Sequence, residues 1–598
     1  MKNRELSSRD YQIFLLKSLL WLGLAWSSFA FALAGFFYAS LIWITVGAFG
    51  IWLTKRAKDL RVRLKPSREL FFASIATLLV AIVFSAFSGP SVFTGRDQGS
   101  FTEAAVRLAQ NHKLEFSTPT SDEFFKLHQP GKALNFPGFY YTKNGDLITQ
   151  FSLVYISWLA LFFAVFGTLG FAIANGLLLY TFFLSFYLLL RLFLKTTTTI
   201  PIMLLTTTSF VFMWFSKMNL SENMALPLLW VAILSLTLFL KNQRNLYYFI
   251  FLFSIILICF TRIEGFAFLI AAIAILALNE DAKTFIKEKL QSRLFFPIGV
   301  LLLALIANTF VDIYFYKEIL KALLPQVKTP QAQYLGSSKH NILPTFYFEK
   351  VFYLYGLLGF FAISAISVAY KLWNKEFYRL MPFFITIPTF IYLFDSQITP
   401  DHPWMLRRFM FSIAPVAIFY TGMFLGRLYE TKSDTKNNTG KVAAIAIFAI
   451  LLAMNMPAFS KYLTYSENKN MLAQTEALAS KFTANDLVLI DQKASGDGWS
   501  MISGPMNFLY AKNAVYFFNI QDLSKLDTSK FSNVYLISPD TQVSFYLHST
   551  IGKRLTQIDS YNLQTTRLDI KDVTKIGDVI LPDQKNVTVT GKIFKLAK

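Results

Sequence analysis

The chain has almost no cysteine and little charge. Cys259 is the one cysteine among 598 residues, which excludes a disulfide within the chain and a cysteine-built metal site. Charged residues make up only 16% and hydrophobic residues 54%, whereas soluble domains carry roughly a quarter charged residues. That balance excludes a disordered chain and argues against an ordinary cytosolic enzyme. The five histidines (His112, His128, His340, His402, His548) stand at no metal-ligand spacing. The C-terminal quarter has no repeat, low-complexity tract or glycine-rich phosphate loop.

What the chain does have is phenylalanine and apolar length. There are 64 Phe residues, and aromatics reach 17%. Apolar runs of about 20 residues, the length a bilayer crossing needs, recur almost to residue 460. They predict a polytopic membrane domain over 1–459 and a smaller domain over 460–598. The net charge of +21 suggests a nucleic-acid binder until the charges are placed. Many basic residues lie in short loops between apolar runs, where they orient a membrane protein. No nucleic-acid partner is expected.

The charges set a predicted topology. Lys2, Arg4, Arg9 and Lys17 precede apolar sequence to about Phe36. Ala32-Leu33-Ala34 fits a signal-peptide cleavage pattern, but a second apolar stretch follows at 37–54, so a helical hairpin is the simpler reading. Lys55, Arg56, Lys58, Arg61, Arg63, Lys65 and Arg68 face only Asp59 and Glu69, which places this loop in the cytoplasm. Helix 70–89 then leads outward, making 90–149 the first external loop. Segments 279–294, 371–379 and 429–441 read as cytoplasmic, and 316–346 and 395–410 as external. Between 150 and 278 an odd number of crossings is required of six apolar candidates, so one must be re-entrant or fused to its neighbour. The expectation is about 13 transmembrane helices. Beyond 460, β-rich runs at 486–491, 514–518 and 533–538 alternate with helical stretches such as 470–482. They predict a small extracytoplasmic α/β domain.

Few residues stand where chemistry is possible. Asp97 heads an amphipathic helix whose apolar face (Phe101, Ala104, Ala105, Leu108, Ala109) suits the membrane interface, with Glu103 and Arg107 toward an external cavity. The alternative is that Asp97 only caps this helix, or that Ser100 and Glu103 form a capping box. Arg407 and Arg408 stand in a loop read as external, where the positive-inside rule disfavours them, so phosphate contact competes with a purely topological role. Arg262 and Glu264 interrupt a long apolar run, although a charge at mid-membrane costs about 2.5–3.5 kcal/mol. They mark either a turn at the bilayer surface or a functional site. Glu222 and Lys217 read more readily as structural, and His128, Asp122 and Glu123 as a solvated loop.

Asp97 followed by Phe101, Ala105 and Leu108 resembles the first-loop motif of GT-C glycosyltransferases. These are polytopic enzymes using polyprenyl-phosphate sugars, such as the protein O-mannosyltransferases and the lipid A aminoarabinose transferase. The family pattern is Asp-Glu; here Gln98 replaces the second acid. Gln150-Phe151-Ser152-Leu153-Val154-Tyr155 resembles the family's return into the membrane. Ser221-Glu222-Asn223 resembles its Thr-Glu or Thr-Asp position, and Thr261-Arg262-Ile263-Glu264-Gly265 its Arg-Pro-x-Gly segment. Pro400 to Phe409, with Pro415 beyond, resembles its late external loop.

The resemblance implies a GT-C-like, mainly α fold and a hexosyl- or pentosyltransferase in a bacterial or archaeal cell membrane. It would move a sugar from a polyprenyl-phosphate donor to an extracytoplasmic hydroxyl with inversion. Asp97 would be the base, Arg407 and Arg408 the donor-phosphate ligands, and Arg96, Glu103, Glu222, Arg262 and His402 accessory candidates. The chemistry fits these residues. A polyprenyl phosphate leaves without a proton, so one base and cations on the phosphate suffice, whereas glycoside hydrolases commonly need two carboxylates. No metal ligands are assigned; the absence of Asp-x-Asp in the first loop disfavours a divalent metal. Membrane lipids and a glycan, lipid or protein acceptor are the expected partners. The alternatives are a lipid-linked glycan ligase or polymerase, and a transporter or flippase, which should show paired repeats.

Overall fold

The computed structural model describes residues 6–59, 65–311, 313, 345–393, 401–430, 438–570 and 579–597. Arg61 and Arg63 of the basic loop, most of the expected external loop 316–346, Pro400 and most of 429–441 lie outside the described residues.

A hairpin of α1 (Ser8–Leu33) and α2 (Ala39–Asp59) opens the chain, followed by α3 (Arg68–Ala86). Ser67 starts α3 by accepting from the Leu70 amide at 3.1 Å, and its own amide donates to Asp10 of α1 at 2.9 Å. The first loop holds α4 (Asp97–Asn111), α5 (Pro119–His128) and a three-stranded sheet of β2 (Gly131–Lys132), β3 (Phe139–Tyr141) and β4 (Leu147–Thr149). Then come α6 (Leu153–Phe166), α7 (Leu169–Arg191), α8 (Thr196–Thr207), α9 (Phe210–Phe215), α10 (Ser221–Asn242), α11 (Asn245–Cys259) and α12 (Glu264–Leu278). The bundle closes with helices Gln291–Val311, Leu358–Trp373, Ile413–Glu430 and Thr439–Tyr462.

Among the described residues five helices are long and apolar enough to cross a bilayer, or seven if two bent pairs each count as one span. The expected 13 crossings are therefore not established. The apolar surface is nonetheless that of an integral membrane protein: on α3, Phe72 is 65% exposed and Leu79 56%, a face suited to lipid. The phenylalanines fill the interior. Trp230 of the deeply buried α10 packs against Phe186 at 4.9 Å, and Phe182 against Phe212 at 5.1 Å.

Polar contacts mark the two ends of the bundle. At one end Glu69 accepts from Tyr187 at 2.7 Å and Arg191 at 2.6 Å, and Glu430 accepts from Thr198 at 2.9 Å. At the other, Ser152 bonds the Thr261 carbonyl, and Asn219 donates to Thr102 of the first loop at 3.0 Å. These contacts bear on which candidate between 150 and 278 makes no crossing. Helix α6 begins at the first-loop end. Helix α7 lies at that same end at Asn175, which donates to the Met218 carbonyl at 3.1 Å, and reaches the Glu69 end at Arg191. Helix α6 thus starts at the end where α7 also has Asn175, and at 14 residues it is about 21 Å long, shorter than a bilayer core.

The C-terminal sheet contains β5 (Leu487–Asp491), β7 (Asn513–Phe517), β8 (Val534–Pro539), β9 (Leu555–Asp569) and β10 (Asp583–Leu596), in the order β7-β5-β8-β10-β9. Strand β5 runs parallel to β7 and β8, and β10 antiparallel to β8 and β9. The three parallel strands are the predicted ones. The β9–β10 hairpin was not predicted, because its outer face is polar and its inward residues (Tyr561, Leu563, Thr565, Arg567) alternate with exposed ones. This sheet domain sits on the first-loop end: β1 (Thr94–Gly95) pairs antiparallel with β6 (Ser500–Met501), and Asn135 donates to the Tyr516 carbonyl at 2.7 Å.

Lys553 of the sheet domain and Lys441 beside Glu430's end therefore belong to opposite ends. In a Cys259→Ser background, Lys553→Cys should react with a membrane-impermeant maleimide in sealed cells and Lys441→Cys only after permeabilisation. Labelling of both or neither before permeabilisation would contradict the two-ended arrangement.

Candidate active site

Three carboxylates converge at the first-loop end, each in the first turn of a helix. Asp97 is the first residue of α4, Glu222 the second of α10 and Glu264 the first of α12. Helix N-termini leave unpaired amides and a partial positive charge, so each helix start favours its acid. Three guanidiniums meet them, from Arg262 before α12 and from Arg407 and Arg408 in the short helix Arg407–Met410.

The six groups form a chain of alternating charge. Arg407 Nη1 is 2.6 Å from Asp97 Oδ2, and its Nε 3.8 Å from Glu222 Oε1. Arg262 bridges Glu222 at 2.8 Å and Glu264 at 2.7 Å. Arg408 Nη1 is 3.9 Å from Glu264 Oε1. The inner triad Glu222–Arg262–Glu264 is tight and buried, while the links at 3.8 and 3.9 Å exceed hydrogen-bond length. The two ends of the chain are also its more accessible members: the Asp97 side chain is 36% exposed and Arg408 20%. The Nε atoms of Arg407 and Arg408 and Oε2 of Glu264 have no hydrogen-bond partner. Tyr392 donates to Glu264 and lies under Arg408, whose guanidinium is 5.5 Å from the ring centre.

Asp97 does not cap its helix. Arg96 holds the N-cap position and gives no side-chain cap, and Ser100 donates to the Pro137 carbonyl at 3.1 Å. Burial raises the Asp97 carboxyl, but the guanidiniums of Arg407, Arg408 and Arg262 outweigh it and hold the group below its ordinary value.

The other candidates fall elsewhere. Arg96 pairs with Asp401 at 2.9 Å at the rim of the cluster. His402 meets the Tyr355 hydroxyl at 3.0 Å rather than any of the six charges, and burial pushes its imidazole down to about 4. Lys217 is structural, donating to the carbonyls of Tyr462 and Tyr465 at 2.9 and 3.2 Å, where it satisfies the end of helix Thr439–Tyr462. Glu222 departs from that structural reading and belongs to the cluster. Glu123 is buried between Lys126 and Lys530, each at 2.6 Å, so it joins the first loop to the sheet domain.

The polar side of α4 meets protein, not an open cavity. Arg107 donates to Asn507 and Gln110 to the Phe508 carbonyl at 3.1 Å, both on helix Ser503–Phe508 of the sheet domain. Glu103 is buried there, 4.0 Å from Arg107. Burial pushes its carboxyl up to about 7 against the pull of Arg107. A small cavity lies against Gln98, Trp214, Lys217, Tyr465 and Glu467; none of the six clustered charges lines it. Among the described residues no group of three His, Cys, Asp or Glu side chains is placed to hold a metal ion.

Two measurements follow from this geometry. Arg262→Met leaves two buried carboxylates without their shared cation, and loss of one partner from a buried pair costs about 3–5 kcal/mol. It should lower the thermal midpoint in detergent far more than Arg408→Met; equal effects would place the structural load elsewhere. Glu103 titrates higher folded than unfolded, so its share of stability is full below about 4.5 and is lost as pH rises through about 7. Glu103→Gln should flatten the fall in stability between pH 5 and 8. An unchanged slope would assign it to another group.

No protein-family model and no curated protein sequence matches the chain. Solved structures similar to it include two crystal structures of ArnT from Cupriavidus metallidurans. One is bound to undecaprenyl phosphate and one is in the apo state. Each matches at 10% sequence identity over 87% of this chain and 97% of its own, with TM-scores of 0.47 and 0.46.

Proposed function

We propose that this integral membrane protein is a glycosyltransferase of the GT-C type. It takes a sugar from a polyprenyl-phosphate donor and passes it, with inversion, to an acceptor hydroxyl on the extracytoplasmic face. The observation that carries the reading is the alternating charge chain, with a carboxylate at one accessible end and a loosely held guanidinium at the other.

Those ends match the two charges the reaction creates. The acceptor hydroxyl gives its proton to Asp97 as its oxygen bonds to the anomeric carbon. The bond from that carbon to the phosphate oxygen breaks, and the electron pair leaves with the polyprenyl phosphate. Arg408, 3.9 Å from its carboxylate, and Arg407 are the cations for that phosphate, to which guanidinium offers a planar fork. Donor binding also acts on the base. While Arg407 is committed to Asp97, the carboxylate is a poor proton acceptor. A phosphate that draws Arg407 away restores its basicity, so the donor binds before the acceptor reacts. The inner triad holds the ends in place and takes no part in proton transfer.

The basic residues of 55–68 support a cytoplasmic Glu69 end, and with it an extracytoplasmic cluster, first loop and sheet domain. A transporter is the weaker reading, because the charge cluster sits at one end of the bundle beside a folded domain rather than between repeats at the midplane.

Asp97→Asn should leave expression and thermal stability near wild type while lowering transfer about 10²–10⁴-fold. Arg407→Gln should raise the acid limb of the kcat/KM–pH profile. The ionised carboxylate is needed, its pKa is held low by Arg407, and an adjacent arginine depresses a carboxyl by about 1–3 units. Transfer near wild type in Asp97→Asn, assayed with polyprenyl-phosphate sugars, would remove the base from the scheme.

A further inference from the structure

The sheet domain reaches the catalytic cluster through one column of rings and guanidiniums. The β1–β6 register pairs Thr94 with Met501 and Gly95 with Ser500, which brings Trp499 opposite Arg96 as the next pair. The Arg96 guanidinium lies 5.0 Å from the Trp499 ring centre and 4.7 Å from that of Trp404. The Trp404 ring also carries Arg407, at 4.4 Å from its centre. The order is thus Trp499, Arg96, Trp404, Arg407, with Asp401 on Arg96 at 2.9 Å and Asp97 on Arg407 at 2.6 Å.

The junction is built for close approach. Gly95 has φ +110°, and a Cβ there would meet the Gly498 carbonyl oxygen at 2.8 Å. Asp497 accepts from the amides of Trp499 and Ser500 at 2.9 and 2.8 Å and pairs with Arg567 at 3.0 Å. The loop carrying Trp499 is therefore tied into the sheet. Trp499 itself is 51% exposed, so burial in a core does not explain its position.

We propose that Trp499 and Arg96 are positioning residues: the sheet domain sets the placement of Arg407 against Asp97 through the Trp499–Arg96–Trp404 column. This rests on the reading of Asp97 and Arg407 given above. Each ring face attracts the cation beside it electrostatically. Trp404, in contact with both guanidiniums, has little freedom, and the packing of Arg407 on its ring depends on where that ring is held. Removing Trp499 leaves Arg96 held by Asp401 alone on that side, loosens Trp404 and displaces Arg407 from the place where it meets both Asp97 and the phosphate. The sheet domain is then a working part of the site although it supplies no group to the reaction.

The test uses the full-length protein in detergent with two readouts. One is the kcat/KM–pH profile for transfer from a polyprenyl-phosphate sugar. The other, independent of transfer, is affinity for polyprenyl monophosphate by calorimetry. Trp499→Ala should lower both kcat/KM and that affinity about 5- to 10-fold, and move the acid limb up by about one pH unit. Trp499→Phe, which keeps a ring face, should recover most of each change. Gly95→Ala, which pushes the strands apart, should reproduce the Trp499→Ala pattern. A wild-type acid limb and affinity in Trp499→Ala overturn the proposal. So does a uniform loss with an unmoved acid limb that Phe does not rescue, which means the ring serves folding alone. If the wild type transfers no polyprenyl-linked sugar, yet Trp499→Ala still weakens polyprenyl phosphate binding and Phe restores it, the column stands and the proposed reaction falls.

Discussion

Six ionised side chains can sit together at the end of an apolar bundle only if each is answered by its neighbour. A lone charge taken from water costs several kcal/mol even after relaxation. Here the signs alternate along one path, Asp97, Arg407, Glu222, Arg262, Glu264, Arg408, and each acid stands in the first turn of a helix. The directions of α4, α10 and α12 follow from this constraint, since each must begin where its acid meets the path. So do the sharp entries into the membrane: the Thr261 carbonyl is bonded by Ser152, and Arg262 is held beside Ser221 at 3.1 Å.

The same path separates support from reactivity. Its centre is short, buried and closed, and Phe411 covers Arg262 at 4.9 Å. The links from this centre to Arg407 and Arg408 are longer, at 3.8 and 3.9 Å, and the outer members Asp97 and Arg408 are the more exposed. Charge that must change partners during a reaction has to be held weakly enough to leave its first one, and the two contacts near 4 Å meet that condition. The guanidinium of Arg407 is shared between a tight contact and a loose one, which suits the proposed role of a group that answers first to a carboxylate and then to a phosphate.

Much of this was legible in the amino-acid order because a charge inside or beside an apolar run is conspicuous. Asp97, Glu222, Arg262, Arg407 and Arg408 all stand at such places, and the structure brings them together. Glu264 reads, with Arg262, as either a surface turn or a functional site, whereas Tyr392 gives no sign: a tyrosine at the edge of an apolar run carries no local mark of a partner 128 residues away. Arg96 reads as an accessory charge, but nothing local links it to Trp404 or Trp499. Glu103 and His402 were placed near the chemistry by proximity along the chain, and tertiary packing turned Glu103 toward helix Ser503–Phe508 and His402 toward Tyr355. In the sheet domain the apolar strands β5, β7 and β8 announced themselves, whereas β9 and β10 face solvent on one side and read as polar sequence. The expected 13 crossings already leave out one of the six apolar candidates in 150–278, and α6, apolar but only 14 residues long, fits that place; its sequence alone does not set it apart from its neighbours.

The contact between Asp97 and Arg407 joins residues 310 positions apart, and this bears on how the protein is made. The ribosome delivers Asp97 and Glu222 before any of the three arginines. Arg262 arrives next and can close the inner triad with Glu222 and Glu264 while the chain is still short. Arg407 and Arg408 come last among the charges, and Trp499 later still. The bundle can thus be stabilised from its centre during insertion, whereas the reactive ends are assembled only when the final helices and the sheet domain have emerged. On the function proposed above, a chain that has not yet reached Arg407 carries a charged core but no finished place to hold a donor, so competence would come only with the last helices and the sheet domain.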